Sequence, residues 1–94
     1  YDLPWWDKLD SELRPRPVEV RFSSYMALSQ YGNSIRKQLE PLVTSKNNLK
    51  QMYVAGLLYR LGITKYENIL RHYQNKRMYV DDMNLILDDL GLKN

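Results

Sequence analysis

Few residues of this chain are of the types that carry out catalysis. The sequence holds one histidine, His72, and no cysteine, so a thiolate nucleophile and a metal site built from several histidines or cysteines are excluded. His72 falls beside the apolar stripe of its predicted helix, and we expect it at the surface. We therefore predict a protein that is not an enzyme, with no cofactor and no small-molecule substrate.

Two pairs of adjacent aspartates are the remaining candidates for chemistry, because carboxylates can bind a cation. They are Asp81–Asp82 and Asp88–Asp89. Adjacent side chains on a helix point about 100° apart, so neither pair converges on one ion. We expect these carboxylates to complement the positive end of a helix dipole and to lie on a solvated face. No metal site is predicted.

Positive charge is concentrated in the middle of the chain, where residues 23–62 carry five basic groups against Glu40 alone. Basic side chains neutralise phosphates, and exposed tyrosines can stack on bases. An RNA-binding subunit of a ribonucleoprotein is therefore the alternative function that we keep open, beside an ordinary solvated surface. The residues that would contact nucleic acid are Lys46, Lys50, Arg60, Lys65, Arg71, Lys76 and Arg77.

The size of the chain limits its internal support. A chain of 94 residues is expected to form one domain, and to bury little more than about 60% of its unfolded surface. It has no cysteine for a disulfide staple, so a partner surface is the obvious further source of stability. No window approaches the ~20 apolar residues of a membrane span, and we predict no transmembrane segment.

The first 22 residues differ from the rest, since they contain both tryptophans and three of the four prolines. The alternating Pro15 and Pro17 predict a polyproline-like backbone. The alternation of apolar and charged residues from Val18 to Phe22 predicts a strand-like segment. We therefore predict that residues 1–22 form an extended docking arm.

Large aromatic side chains in this arm indicate contact with another protein. Disordered segments are poor in such residues, and tryptophan is among the commonest interface hot spots. Trp5 and Trp6 are adjacent, so both cannot face the same small core. Folding of the arm over the chain's own helices remains the other interpretation. The predicted partner-binding residues are Leu3, Trp5, Trp6, Leu13, Val18, Val20 and Phe22.

Helical periodicity begins at residue 23. Apolar residues at steps of three and four predict an all-α domain over residues 23–94, with three to four helices in a small bundle or array. The first helix has Ser24 as its cap and is weakened at Gly32. Pro41 should kink it or end it near Leu39.

Local signals predict the ends of the later helices. The second helix should begin within residues 45–48 and stop at Gly62 in a Schellman motif. Thr64 and Glu67 match the capping box at the start of the third helix. The fourth helix should begin near Asp81 and stop at Gly91.

Together these features predict a non-catalytic accessory or structural subunit of a larger multi-protein assembly, whose partners are other protein subunits. The first residue is Tyr1 rather than Met. We expect removal of an organellar presequence, and hence an intracellular location such as the mitochondrial matrix or another organelle. Secretion, polyprotein cleavage or engineering would also give a chain that begins at Tyr1.

Overall fold

The computed structural model describes residues 17–92, and all regular structure in this range is helical. Residues 17–92 contain five α-helices, which are α1 (Val18–Ser29), α2 (Arg36–Leu39), α3 (Asn48–Arg60), α4 (Glu67–Lys76) and α5 (Val80–Leu90). Turns of 3-10 helix occupy Gly32–Ile35, Glu40–Thr44 and Thr64–Tyr66. The prediction of an all-α fold is confirmed, with one helix more than the three to four expected.

Helix α1 begins earlier than the sequence suggested. The prediction of an extended segment from Val18 to Phe22 is wrong, because these residues form the first turns of α1. Pro17 precedes them with an extended backbone, at φ −65° and ψ 158°. In the helical conformation Phe22 and Tyr25 both face the core. The free energy gained by burying these two rings outweighs the preference for a strand that the alternation of apolar and charged residues indicates.

Gly32 divides the single helix that we predicted between Ser24 and Leu39. Helix α1 ends at Ser29, and Gly32 adopts φ +62°, where a residue without a Cβ has no steric penalty. The chain then re-enters helical structure in the short α2. This helix ends at Leu39, shortly before Pro41, as predicted.

Helix α3 lies at the centre of the fold. Its N-terminus is capped by Asn47, whose Oδ1 accepts a hydrogen bond of 3.0 Å from the Lys50 amide. This start falls within the predicted range. Every residue from 52 to 58 is buried, because α1, α4 and α5 all pack against this helix.

Both predicted glycine stops are confirmed. Gly62 has φ +96° and Gly91 has φ +73°. After α3 the Ile63 amide donates to the Leu58 carbonyl at 2.9 Å, and the equivalent bond after α5 is 2.8 Å long. These bonds are the six-to-one contacts of the Schellman motif.

The predicted capping box at Thr64 does not form. Residues Thr64–Tyr66 make a 3-10 turn, and α4 begins at Glu67 without a side-chain cap. The Glu67 carboxylate instead accepts a hydrogen bond of 3.1 Å from Arg71 Nε, one helical turn further on. This ion pair takes the carboxylate that the capping box would require.

Gly56 marks the place where α1, α3 and α5 approach one another. A Cβ atom on Gly56 would lie 3.0 Å from Cγ2 of Ile86 and 3.2 Å from Cε1 of Tyr25. Both neighbours are fully buried, so neither has room to move away. A glycine at this position therefore allows the three helices to pack closely.

We expect Gly56→Ala to lower the free energy of unfolding by about 1 kcal/mol, measured by urea denaturation. Overpacking should outweigh the gain in helix propensity of about 1 kcal/mol. Ile86→Leu removes the contacting Cγ2 at constant volume, so the loss should shrink in that background. A stabilising effect of Gly56→Ala in both backgrounds would contradict the close approach.

Candidate functional site

The most deeply buried charge among the described residues belongs to Asp82, whose side chain is 2% exposed. Arg21 of α1 binds both carboxylate oxygens, with Nε 2.9 Å from Oδ2 and Nη2 2.8 Å from Oδ1. The Tyr53 hydroxyl of α3 donates to Oδ2 as well. The two-pronged geometry of the arginine gives a strong, directional pair.

Asp89 forms a second cluster of the same composition. It accepts a hydrogen bond of 3.0 Å from the Tyr25 hydroxyl of α1. Arg60 of α3 places Nη1 2.5 Å from both carboxylate oxygens. This cluster is nearer to solvent than the first, because Arg60 is one third exposed.

The two clusters join the same three helices with the partners exchanged. At Asp82 the arginine comes from α1 and the tyrosine from α3, whereas at Asp89 the tyrosine comes from α1 and the arginine from α3. The two aspartates are seven residues apart, which is two helical turns. The aspartate nearer the start of α5 contacts the earlier residues of α1 and α3, and the aspartate nearer its end contacts the later ones. The clusters therefore fix the relative register of all three helices.

The expectation that both aspartate pairs lie on a solvated face is wrong for one member of each. Asp81 and Asp88 are exposed, but Asp82 is buried and Asp89 is half-buried. A signal was present in the sequence, since Asp82, Ile86 and Asp89 have the four-then-three spacing of one helix face. Arginines and tyrosines at helical spacing on other helices are the partners such aspartates need.

Burial and the adjacent carboxylates change the acidity of these groups. Burial is the main cause that raises the pKa of Tyr25 and of Tyr53 well above the usual 10.0, and the neighbouring aspartate adds to it in each case. Hydrogen bonds to Asp82 raise the pKa of Arg21. Both phenols therefore stay protonated, as donors, far into the alkaline range.

We expect Asp82→Asn to lower the free energy of unfolding by about 3 kcal/mol, because it removes the buried carboxylate that accepts hydrogen bonds from both Arg21 and Tyr53. Asp88→Asn is the matched control, since it makes the same chemical change at an exposed position and should cost less than about 0.5 kcal/mol. Urea denaturation of both variants provides the measurement. Equal losses would show that Asp82 has no special role.

A loss of stability at alkaline pH should follow from the two phenols. Below pH 10 the folded and unfolded states both hold these protons. Above it the unfolded chain releases them while the folded protein keeps them, so each tyrosine lowers the free energy of unfolding by about 1.4 kcal/mol per pH unit. Urea denaturation between pH 8 and 11 tests the slope, and Tyr25→Phe should reduce it. A slope unchanged by both Tyr25→Phe and Tyr53→Phe would contradict the assignment.

Three of the seven residues predicted to contact nucleic acid are engaged in ion pairs, namely Arg60, Lys65 and Arg71. Arg71 also donates to the Leu92 carbonyl at 3.2 Å, and so holds the chain after α5 against α4. Arg60 and Arg71 therefore contribute to the fold. The contact of Lys65 with Glu40 is 3.9 Å long and exposed, and Glu40 also pairs with Arg36, so it contributes little.

The other four predicted residues lie near one end of the molecule, and they are Lys46, Lys50, Lys76 and Arg77. The contact that brings them together is made by the Tyr73 hydroxyl near the end of α4. It lies 3.2 Å from Asn48 Oδ1 and 2.5 Å from Gln51 Oε1, in the first turn of α3. The C-terminal end of α4 therefore lies beside the N-terminal end of α3.

The predicted partner-binding residues divide between two regions. Within α1, Phe22 stacks on Tyr25 with ring centroids 5.3 Å apart and packs against the core. Val18 is half-buried, whereas Val20 is 39% exposed on the opposite side of the helix. The structure therefore does not bring these three onto one face. The other predicted residues lie outside the described range, and they are Leu3, Trp5, Trp6 and Leu13.

Other chemical features of residues 17–92 are few. His72 is exposed and lies edge-on to Tyr73, so its predicted surface position is confirmed. Within this range no three histidine, aspartate or glutamate side chains are grouped as a metal site would require. None of the helices in the same range has the length and apolar character needed to cross a bilayer.

Comparison of the chain with protein-family models, curated proteins and solved structures found no match in any of the three. Its function must therefore be inferred from the residues and contacts of this chain alone.

Proposed function

We propose that this protein is a non-catalytic accessory subunit of a larger multi-protein assembly, and that it docks through its N-terminal arm. The observation that supports this most strongly is that the buried carboxylates pair with residues of the same chain. The carboxylates of Asp82 and Asp89 are both occupied by an arginine and a tyrosine of the same chain. A catalytic acid or base must face its substrate, and these carboxylates face other helices.

The position of α1 supports docking next to the arm. Residues 1–16 lead directly into this helix, whose outer side carries a shallow groove with mainly apolar walls. The residues that form the groove are Glu19, Val20, Ser23, Ser24 and Ala27. The groove lies on the first helix after residue 16, so a partner held by the residues before it can reach the groove. An organellar complex, such as a mitochondrial one, is the setting we propose.

RNA binding is the second candidate function, and one observation favours it. Lys46, Lys50, Lys76 and Arg77 share one end of the molecule, and none of them forms an ion pair with a described carboxylate. Such a cluster suits phosphate contacts, whose strength falls steeply as salt rises. An apolar interface made by tryptophans depends little on salt.

The double substitution of Trp5 and Trp6 by alanine should abolish incorporation of the tagged protein into its assembly, because buried tryptophans dominate interface energies. His72→Ala is the matched control, since it removes an exposed ring outside the arm and should leave incorporation unchanged. Affinity purification at native expression, followed by quantitative mass spectrometry, provides the measurement.

Each purified sample should be divided into two halves, one left untreated and the other treated with nuclease and washed at high salt. A stoichiometric set of proteins that survives both treatments is the result expected for an accessory subunit. Normal incorporation of the double variant would sink the arm proposal. Loss of all partners on nuclease treatment would make RNA binding the leading function.

A further inference from the structure

A cavity of about 150 Å³ opens between α4 and α5, beside the turn that joins them. Its walls are mainly apolar and include Tyr73, Met78, Met83 and Leu87. A cavity of this volume is large enough for a group the size of benzene. Methionine side chains adapt to ligands of different shape, and two of them line this cavity.

The turn beside the cavity has an unusual backbone. Arg77 and Tyr79 adopt φ values of 55° and 51°, in the left-handed region that residues other than glycine seldom occupy. This conformation is retained at a cost, and such residues are concentrated at ligand sites and switch regions. Here the turn places Met78 and Val80 in the wall of the cavity and Arg77 at its rim.

Positive charge lies on the α4 side of the rim, whereas two exposed aspartates of α5 lie outside the rim. Arg77 and its neighbour Lys76 are exposed on the α4 side, and neither forms an ion pair with a described carboxylate. Asn84 forms the lip on the α5 side. Exposed Asp81 and Asp88 lie beyond it, displaced by about 100° around the helix from the cavity-lining residues that precede them.

This mixture of charges favours one class of partner. A nucleic acid backbone would meet repulsion from the aspartates on the α5 side, because its phosphates are all negative. A protein segment can instead present a carboxylate toward Arg77 and an apolar side chain toward the cavity. The exposed Val80 adds apolar contact area at the entrance, with 49% of its surface accessible.

We propose that the cavity between α4 and α5 binds one apolar side chain of a partner protein, aliphatic or single-ringed, while an adjacent carboxylate of the same segment pairs with Arg77. This inference deepens the proposed role as a docking subunit and depends on it. It adds a second contact, on the side of the fold built by α4 and α5, and it defines the chemistry of the partner there.

The test uses the full chain and three short fluorescein-labelled peptides. The first has a central leucine between glutamates, the second has alanine in place of the leucine, and the third has lysines in place of the glutamates. We expect the first peptide to bind at least about tenfold more tightly than the other two in fluorescence anisotropy. It should also shift the side-chain amide signal of Asn84 in a nitrogen–proton spectrum.

Two substitutions at exposed rim positions locate the binding. Arg77→Glu reverses the rim charge and Asn84→Trp closes the mouth, and each should weaken the first peptide about tenfold or more. Lys37→Glu is the matched control, because it makes the same charge change on α2, which does not line the cavity. It should leave the affinity unchanged. Circular dichroism melts of all variants should show that the fold is retained.

Equal binding of the leucine and alanine peptides, or absence of any shift at Asn84, would overturn the proposal. So would preferential binding of a single-stranded RNA oligonucleotide that Arg77→Glu abolishes. The arm variant with Trp5 and Trp6 replaced should bind the first peptide normally. If the peptide does not bind the cavity but the Trp5 and Trp6 double variant fails to assemble, only this inference is removed. If the peptide binds the cavity but the double variant assembles normally, only the arm proposal is removed.

Discussion

Asp82 accepts hydrogen bonds from helices that enter the fold at very different points along the chain. The guanidinium of Arg21 is 61 positions away in sequence, and the Tyr53 hydroxyl is 29 positions away. Removing a carboxylate from water costs several kcal/mol, and full pairing with hydrogen-bond donors offsets that cost. The interaction is favourable only when α1, α3 and α5 occupy the observed positions, and apolar contacts alone are far less demanding.

The two clusters around Asp82 and Asp89 fix the way in which the apolar core packs. Gly56 lets the backbones of α1 and α5 approach α3, and Tyr25 lies between them with its ring in the core and its hydroxyl on Asp89. Tyr25 and Tyr53 are in contact, with ring centroids 5.8 Å apart, so the two clusters are connected through aromatic packing. A shift of α5 by a single turn would break both clusters at once, since the positions one turn from the aspartates hold the apolar residues Leu85 and Ile86.

Local signals allowed part of this structure to be predicted from the sequence. The stops at Gly62 and Gly91, the start of α3 near Asn47 and the end of α2 before Pro41 depend on a few neighbouring residues. The helical state of residues 18–22 and the burial of Asp82 depend on residues far along the chain. The two-residue alternation could not indicate the helix, because tertiary packing decides it. The helical spacing of Asp82, Ile86 and Asp89 indicates a shared face but does not identify the arginines and tyrosines that pair with the aspartates. Four of the seven predicted docking residues, Leu3, Trp5, Trp6 and Leu13, lie outside the described range, so their role rests on sequence reasoning.

The long separation within the Arg21–Asp82 pair has a consequence for the order of events on the ribosome. Synthesis proceeds from the N-terminus at about 5 to 20 residues per second, so roughly 3 to 12 seconds pass between the two members of the pair. During that interval Arg21 has no contact with Asp82, and α5 does not yet cover its side of α1. The nascent chain can therefore be bound by a chaperone, or by an early assembly partner, until α5 has emerged and packs against α1 and α3.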